Sequence, residues 1–192
     1  MMQAVSRRFA PVAVALCMGV LAGGVGVAQA APLDARQSRV SATFKQFNVP
    51  VSADFKQFEG DIVFDPAKPD QAKASVSVST ASFDLGDPMY NKEVAGKDWL
   101  DSKAHPKATF TVTSVKPAGK GYQATGELTI RGITKPVQFP VSIQTAGGMN
   151  TFTGKATIKR LDFKVGADGE WADTTLVANE VVIDFKLVAA AK

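Results

Sequence analysis

Apolar and polar side chains alternate along most of the chain, most clearly in residues 126–141, GELTIRGITKPVQFPV. The apolar positions in the two arms of this stretch recur at every second residue: Leu128, Ile130, Val137, Phe139 and Val141. Side chains of a strand point to opposite faces in turn, so the pattern predicts a hairpin with one apolar face and one mostly polar face. Gly132 suits the turn, and Pro136 suits the start or edge of a strand.

The same alternation returns along the chain between turns that contain Gly, Pro or Asp. The second arm is expected to bend near Gly60, because Phe55 and Phe58 break the period of two. We count eight predicted strands, in segments 39–45, 53–64, 74–80, 108–113, 122–130, 137–142, 152–158 and 181–187. This number and spacing predict an all-β fold, a closed or nearly closed eight-stranded antiparallel barrel.

One segment, residues 84–106, interrupts the strands and is too long for a hairpin turn. Within it, residues 93–103 are expected to form a short helix, with Trp99 and Leu100 facing inward. The excursion lies between the third and fourth predicted strands and would cover one end of the barrel. Long loops in compact domains are often functional lids.

The first thirty residues have the layout of a secretory signal peptide. Arg7 and Arg8 precede an uncharged run, residues 9–27, and Ala28 and Ala30 form a small-x-small site with cleavage expected before Ala31. An uncleaved membrane anchor is the alternative, because the run approaches spanning length, although its glycines weaken such a helix. We therefore expect export to the periplasm, a signal peptide at residues 1–30 and one domain at residues 31–192.

Charge and cysteine content narrow the function classes. Cys17 is the only cysteine and lies in the predicted signal peptide, so the mature chain has no disulfide or thiol chemistry. Losing Arg7 and Arg8 leaves 20 basic and 18 acidic side chains, a net charge of +2 instead of +4. This balance lacks the charge density of a nucleic-acid-binding protein.

Candidate catalytic and metal-binding groups are sparse. His105 is the only histidine, and a metal site of the usual kind needs several His or Cys ligands. Asp101 and Ser102 are near it in sequence, but no nucleophile elbow accompanies them. The acidic turn at residues 168–173 does not match a calcium-binding loop. We expect no catalysis, metal or cofactor, and keep a lipid hydrolase using polar lid residues as the least favoured alternative.

Several ordered motifs resemble those of one family. The hairpin segment GELTIRGITKPV is similar to the signature of the YceI-like proteins, an exported, lipocalin-like, isoprenoid-binding family. Further similarity lies in residues 55–60 with 64–66, in 96–101 with 106–110, and in 160–163 with 169–173. The resemblance as a whole covers roughly residues 38–187. Gln46 and His105 depart from the family, in which many members carry His and an aromatic residue at those positions.

The resemblance implies a lipocalin-like barrel with an elongated apolar cavity for a long lipid, such as a polyprenyl chain or a quinone-like isoprenoid. The residues expected to bind this ligand are Phe44, Phe47, Phe55, Phe58, Trp99, Phe110 and Leu128. The alternative is that these aromatic residues only fill the barrel, and that Trp99 only anchors the lid.

The leading hypothesis is thus a periplasmic lipid carrier without catalytic activity. Some relatives are encoded with or joined to b-type cytochromes, so a soluble partner of a quinone-handling membrane cytochrome is the second hypothesis. A monomer and a homodimer both remain open.

Overall fold

The computed structural model describes residues 30–191. They form one α-helix, α1 (Pro88–Val94), and eleven strands. The strands are β1 (Ala31–Pro32), β2 (Arg39–Gln46), β3 (Val49–Phe55), β4 (Phe58–Val63), β5 (Lys73–Ser79), β6 (Phe83–Asp84), β7 (Lys107–Ala118), β8 (Gly121–Ile130), β9 (Ile133–Ala146), β10 (Met149–Lys159) and β11 (Val177–Ala190). All but Ala30 of the predicted signal peptide lies outside the described residues. No helix within residues 30–191 is long and apolar enough to cross a membrane.

The eleven strands belong to one curled antiparallel sheet, in the order β1-β4-β5-β7-β8-β9-β10-β11-β2-β3-β6. The predicted all-β antiparallel fold is therefore confirmed. The predicted hairpin is formed by β8 and β9, with Ile130 opposite Ile133 and both turn residues, Arg131 and Gly132, at positive φ (50° and 71°). Its apolar positions Leu128 and Phe139 are buried, as the alternation predicts.

The strand count differs from the predicted eight because the second predicted arm is two strands. The chain bends at residues 56–57, so that β3 pairs with β2 and β6, whereas β4 pairs with β5 and β1. The two-residue strands β1 and β6 account for the remaining difference. Gly60 is required in β4, because a Cβ there would lie 2.5 Å from the carbonyl oxygen of Ser75.

The segment after β1 connects the two flanks of the curled sheet. The Leu33 N–H donates to the Gly60 carbonyl at 2.9 Å, and the Asp34 N–H donates to the Val188 carbonyl at 2.8 Å. Leu33 also forms an isolated antiparallel bridge with Ala189 of β11. Together these contacts give the sheet a barrel-like interior, into which the alternating apolar side chains point.

The helix also differs from its predicted position, residues 93–103. α1 begins at Pro88, and the Asp87 carboxylate accepts the Met89 N–H at 2.7 Å, a normal helix N-cap. It ends before Gly96, whose N–H bonds the Glu93 carbonyl. Trp99 and Leu100 lie in the turns that follow, and both are half-buried.

Antiparallel connections divide the loops between two ends of the interior. One end carries the β7–β8 and β9–β10 turns. The other, which we call the lid end, carries the β2–β3 turn at residues 47–48, the β8–β9 turn, the segment 160–176 and α1. The largest apolar cluster lies between the two ends, where Phe64 makes edge-to-face contacts with Tyr122 and Phe152 at centroid distances of 5.6 and 5.7 Å.

Candidate functional site

An inner cavity of about 170 Å³ lies inside the curled sheet. Its wall is almost entirely apolar and includes aromatic side chains from five strands and one loop: Phe55, Phe64, Phe110, Phe139, Phe152 and Phe185. Phe110 lies over Gly126, where an added Cβ would come within 2.5 Å of the ring. The Phe110 side chain therefore packs directly on the Gly126 backbone of the neighbouring strand β8.

An outer cavity of about 590 Å³ lies at the lid end. Its wall combines side chains from β2 and β3 with others from α1 and from the segment 160–177, including Phe44, Val51, Met89, Tyr90, Arg160, Phe163 and Trp171. Phe55, Ile130 and Ile183 line both cavities. The two cavities therefore adjoin along the interior, with the polar groups Gln46, Glu93 and Arg160 only on the outer one.

The lid-end cover is held together by contacts between the segment 95–106 and the segment 160–176. Trp99 packs on Trp171 at a ring-centroid distance of 5.3 Å, and the Gly166 N–H donates to the Asp98 carbonyl at 2.8 Å. Gly166 has a φ of +56°, and a Cβ there would come within 3.0 Å of the Trp99 ring. Arg131 also joins the two segments by donating to the carbonyls of Lys97 and Lys164.

Arg160 is the buried charge beneath this cover. Only 2% of it is exposed, and its guanidinium lies 5.8 Å from the centre of the Trp99 ring. Its nitrogens donate five hydrogen bonds to backbone carbonyls, those of Val165, Gly166, Trp171, Val177 and Ala178. These bonds match the five donors of a guanidinium. Burial lowers the pKa of Arg160.

Arg160 is not among the residues predicted for the site, although the alternation of β10 carries a signal for it. Ala156 and Ile158 are inward positions of β10, and Arg160 continues the same alternation immediately after that strand. A charged residue at an inward position predicts a buried polar network. Within residues 30–191 Arg160 has no carboxylate partner, so its positive charge is balanced by carbonyl dipoles beside the outer cavity.

Five of the seven predicted ligand-binding residues line the cavities. Phe44 and Trp99 lie on the outer cavity, Phe110 and Leu128 on the inner one, and Phe55 on both.

The other two predicted residues do not line either cavity. Phe58 begins β4 and packs against the main apolar cluster as a half-buried side chain. Phe47 is 65% exposed at a φ of +49°, because β2 ends at Gln46 and the two-residue turn carries Phe47 away from the inward face. Phe47 was predicted in the cavity wall because it is aromatic, and the turn that points it outward was not predicted.

The polar lid residues are not assembled as a catalytic triad. The hydroxyl of Ser102 is buried and has no hydrogen-bond partner among the described residues, as is true of the Trp99 indole N–H. The carbonyl of His105 accepts the Thr80 hydroxyl at 2.7 Å, which ties the end of the lid segment to the residue that follows β5. Residues 30–191 contain no group of three or more His, Cys, Asp or Glu side chains positioned to hold a metal ion.

The sequence of the described domain matches a known family. A family model described as the YceI-like domain matches residues 32–189. The chain belongs to the YceI-like family. A UPF0312 protein of Ectopseudomonas mendocina is 34% identical over 165 residues, covering 80% of this chain and 86% of the relative. This confirms the resemblance inferred from the ordered motifs.

Solved structures share this fold. The crystal structure of Burkholderia cenocepacia BcnA has 50% sequence identity and a TM-score of 0.79, covering 82% of this chain and 99% of that one. A polyisoprenoid binding domain from Saccharophagus degradans has 18% identity and a TM-score of 0.65, covering 84% of this chain and 98% of that one. The second likeness is one of fold alone.

Proposed function

We propose that this YceI-like protein binds a long-chain amphiphile, with an isoprenoid as the leading class, and carries it through the periplasm without altering it chemically. The observation that carries the proposal is the pair of adjoining cavities, apolar along the inner part and partly polar at the lid end. The polyisoprenoid-binding description of a protein with the same fold supports this choice of ligand class.

The distribution of polar groups sets the orientation of the ligand. An apolar tail fits the inner cavity, because a polar head group there would lose its hydrogen bonds to water without replacement. The head group therefore belongs in the outer cavity, near Gln46, Glu93 and Arg160. The guanidinium donors of Arg160 already bond to carbonyls, so its contribution to the head group is its charge rather than new hydrogen bonds.

The free energy gained by burying a long apolar chain is large enough for useful affinity. Burying a methylene stabilises by about 0.8 kcal/mol, so a sixteen-carbon chain offers roughly 13 kcal/mol before costs. Association costs roughly 4–15 kcal/mol. The net affinity therefore depends on how much of the chain the two cavities enclose, which makes chain length the principal determinant of preference.

A fluorescence titration tests the proposal directly. Trp99 and Trp171 are the only tryptophans of the chain, and both line the outer cavity. Adding a medium-length polyprenyl alcohol to delipidated protein should change their emission saturably, at one ligand per chain. A short prenyl alcohol of the same head group serves as the control and should bind much more weakly. No saturable change with any chain length would count against a lipid-binding role.

The proposed periplasmic location and the proposed absence of catalysis are tested separately. We expect the mature protein in the periplasmic fraction with Ala31 as its first residue, and a bound lipid recovered with unchanged mass after prolonged incubation. Retention in the membrane fraction with an intact leader would support the uncleaved anchor. Specific crosslinking to a membrane cytochrome would support the partner-module alternative.

A further inference from the structure

Four large apolar side chains are strongly exposed among the described residues, and all four lie at the lid end. Phe47 and Val49 are 65% and 61% exposed in and after the β2–β3 turn, and Met89 and Tyr90 are 68% and 58% exposed on the first turn of α1. We call these four residues the apolar rim. An exposed apolar group of this kind marks an interaction surface more often than a random scatter does.

The apolar rim flanks the outer cavity on two sides. Met89 and Tyr90 belong to the cavity wall themselves. On the other side, Gln46 and Val51 line the cavity, and Phe47 and Val49 lie between them in sequence, with Gln46 paired opposite Val49. The rim is therefore continuous with the surface over which a ligand would enter or leave.

Folding does not explain the residue at the tip of the turn. Phe47 and Asn48 have φ values of +49° and +62°, so both central residues of this two-residue turn are left-handed. Such turns favour Asn, Asp and Gly, and a bulky side chain in this region is a genuine outlier. Phe47 bears this strain while most of its side chain faces solvent. A strained, exposed residue at a cavity entrance points to a role in function.

The charge pattern of the rim selects the partner. Residues 46–53 and 88–91, which carry the rim, contain no Lys, Arg, Asp or Glu. The residues that flank these ranges, Lys45, Asp54, Asp87 and Lys92, carry two charges of each sign, so the rim has no net charge with which to select an anionic or cationic partner. Aromatic and long apolar side chains on projecting tips suit the boundary between head groups and acyl chains of a bilayer, where such residues insert.

We propose that the apolar rim docks this protein on a lipid bilayer, with the outer cavity opening toward the acyl chains. The inference rests on the proposed lipid-carrier function, because the bilayer is the source and destination of the amphiphile. Docking lets the apolar tail pass between bilayer and cavity without being exposed to water, the step that would otherwise oppose transfer. Insertion, rather than charge attraction, provides the binding.

The test uses phosphatidylcholine vesicles, which carry no net charge, and measures co-flotation of the mature protein. The wild-type protein should bind, with little change between low and high salt, because no ion pairs are involved. Phe47→Asn should weaken vesicle partitioning about tenfold, the effect of losing one inserted aromatic side chain. Asn also suits the left-handed turn, so thermal stability should be equal or higher.

A matched variant separates position from general hydrophobicity. Ala118 is exposed at the far end of β7, away from the lid end. The double variant Phe47→Asn with Ala118→Phe keeps one exposed aromatic side chain but relocates it, and it should bind vesicles as weakly as the single variant. Replacing Met89 by Ser provides a second rim variant and should also weaken binding.

Several results would overturn the docking proposal. These are failure of the wild-type protein to bind, equal binding by the wild type and Phe47→Asn, or recovery of binding in the relocated variant. Binding that collapses in high salt, or that requires a membrane protein in the vesicles, would also overturn it. Ligand titration without vesicles is measured in parallel. If the wild-type protein docks on vesicles but binds no ligand, only the carrier function is refuted. If it binds ligand but does not dock, only the docking proposal is refuted.

Discussion

Filling the inner cavity should shorten the ligand that the protein can hold. Ala156 is 6% exposed on β10 and lines the inner cavity, whereas the next residue, Thr157, lies on the exposed outer face. The variant Ala156→Leu adds about three carbon atoms to a space of about 170 Å³. A cavity of roughly this size accommodates only a small apolar molecule, so the added carbons compete directly with the ligand tail.

The magnitude follows from the displaced part of the tail. If the leucine takes the place of about three methylenes, a long ligand loses about 2.4 kcal/mol, or about sixtyfold in affinity. A short ligand that ends in the outer cavity should lose less than about threefold. The assay is the tryptophan titration with prenyl or alkyl alcohols of increasing length, which should show a break in affinity at the length that reaches Ala156.

The control variant is Thr157→Leu, which adds the same kind of side chain to the outer face and should leave all affinities unchanged. Overpacking at Ala156 could cost about 1–3 kcal/mol of stability, so urea unfolding of both variants accompanies the titration. Equal losses for short and long ligands, or no loss for the long ones, would refute the assignment of the inner cavity to the tail.

Three further predictions concern the lid and the wall. Arg160→Met should lower the free energy of unfolding by roughly 3 kcal/mol or more, because several buried carbonyls lose their donor, whereas Lys159→Met should have little effect. The Asn91 amide donates to Asp84 and lowers the pKa of that carboxyl below 3.8. The contact between α1 and β6 should therefore persist at neutral pH and weaken only below about pH 3.8, as measured by hydrogen exchange. Gly126→Ala should press a Cβ against the Thr111 carbonyl oxygen and the Phe110 ring and destabilise the fold by about 1–3 kcal/mol.

For each of these three predictions, one experimental result would contradict the reasoning. Urea unfolding of Arg160→Met that matches the wild type would show that the carbonyl bonds contribute little. For the acid transition, the stabilisation is present above the ordinary pKa and is lost as the pH falls through the lowered one, so loosening of α1 between pH 5 and 7 would contradict it. The variant Asn91→Ala should show faster exchange at neutral pH already. Full stability and unchanged ligand affinity in Gly126→Ala would contradict the close packing of Thr111 and Phe110 on Gly126.

Local alternation predicted much of the fold and part of the candidate site. A period of two determines which side chains share a face, so the β8–β9 hairpin and the inward positions Phe110 and Leu128 were predicted correctly. Pairing between distant segments was not predictable in this way. The division of the second arm into β3 and β4 depends on which neighbours each half finds, and the Leu33 bridge depends on the approach of β4 and β11.

Errors at the lid end have specific physical causes. The helix begins at Pro88 rather than at residue 93, because the Asp87 carboxylate caps the Met89 N–H and Pro88 suits the first helical position. Phe47 was assigned to the cavity wall because it is aromatic, whereas a two-residue turn places it outside. Arg160 was overlooked because charged residues are rarely buried, although its position continues the inward alternation of β10.

The most direct test of the account is native mass spectrometry of the mature protein purified from its own periplasm, combined with lipid extraction of the same sample. A lipid carrier should show a discrete added mass, released by mild activation and identified in the extract as an isoprenoid or another long-chain amphiphile. A bare protein mass with no lipid in the extract, from protein that also fails to take up polyprenyl alcohols, would contradict it.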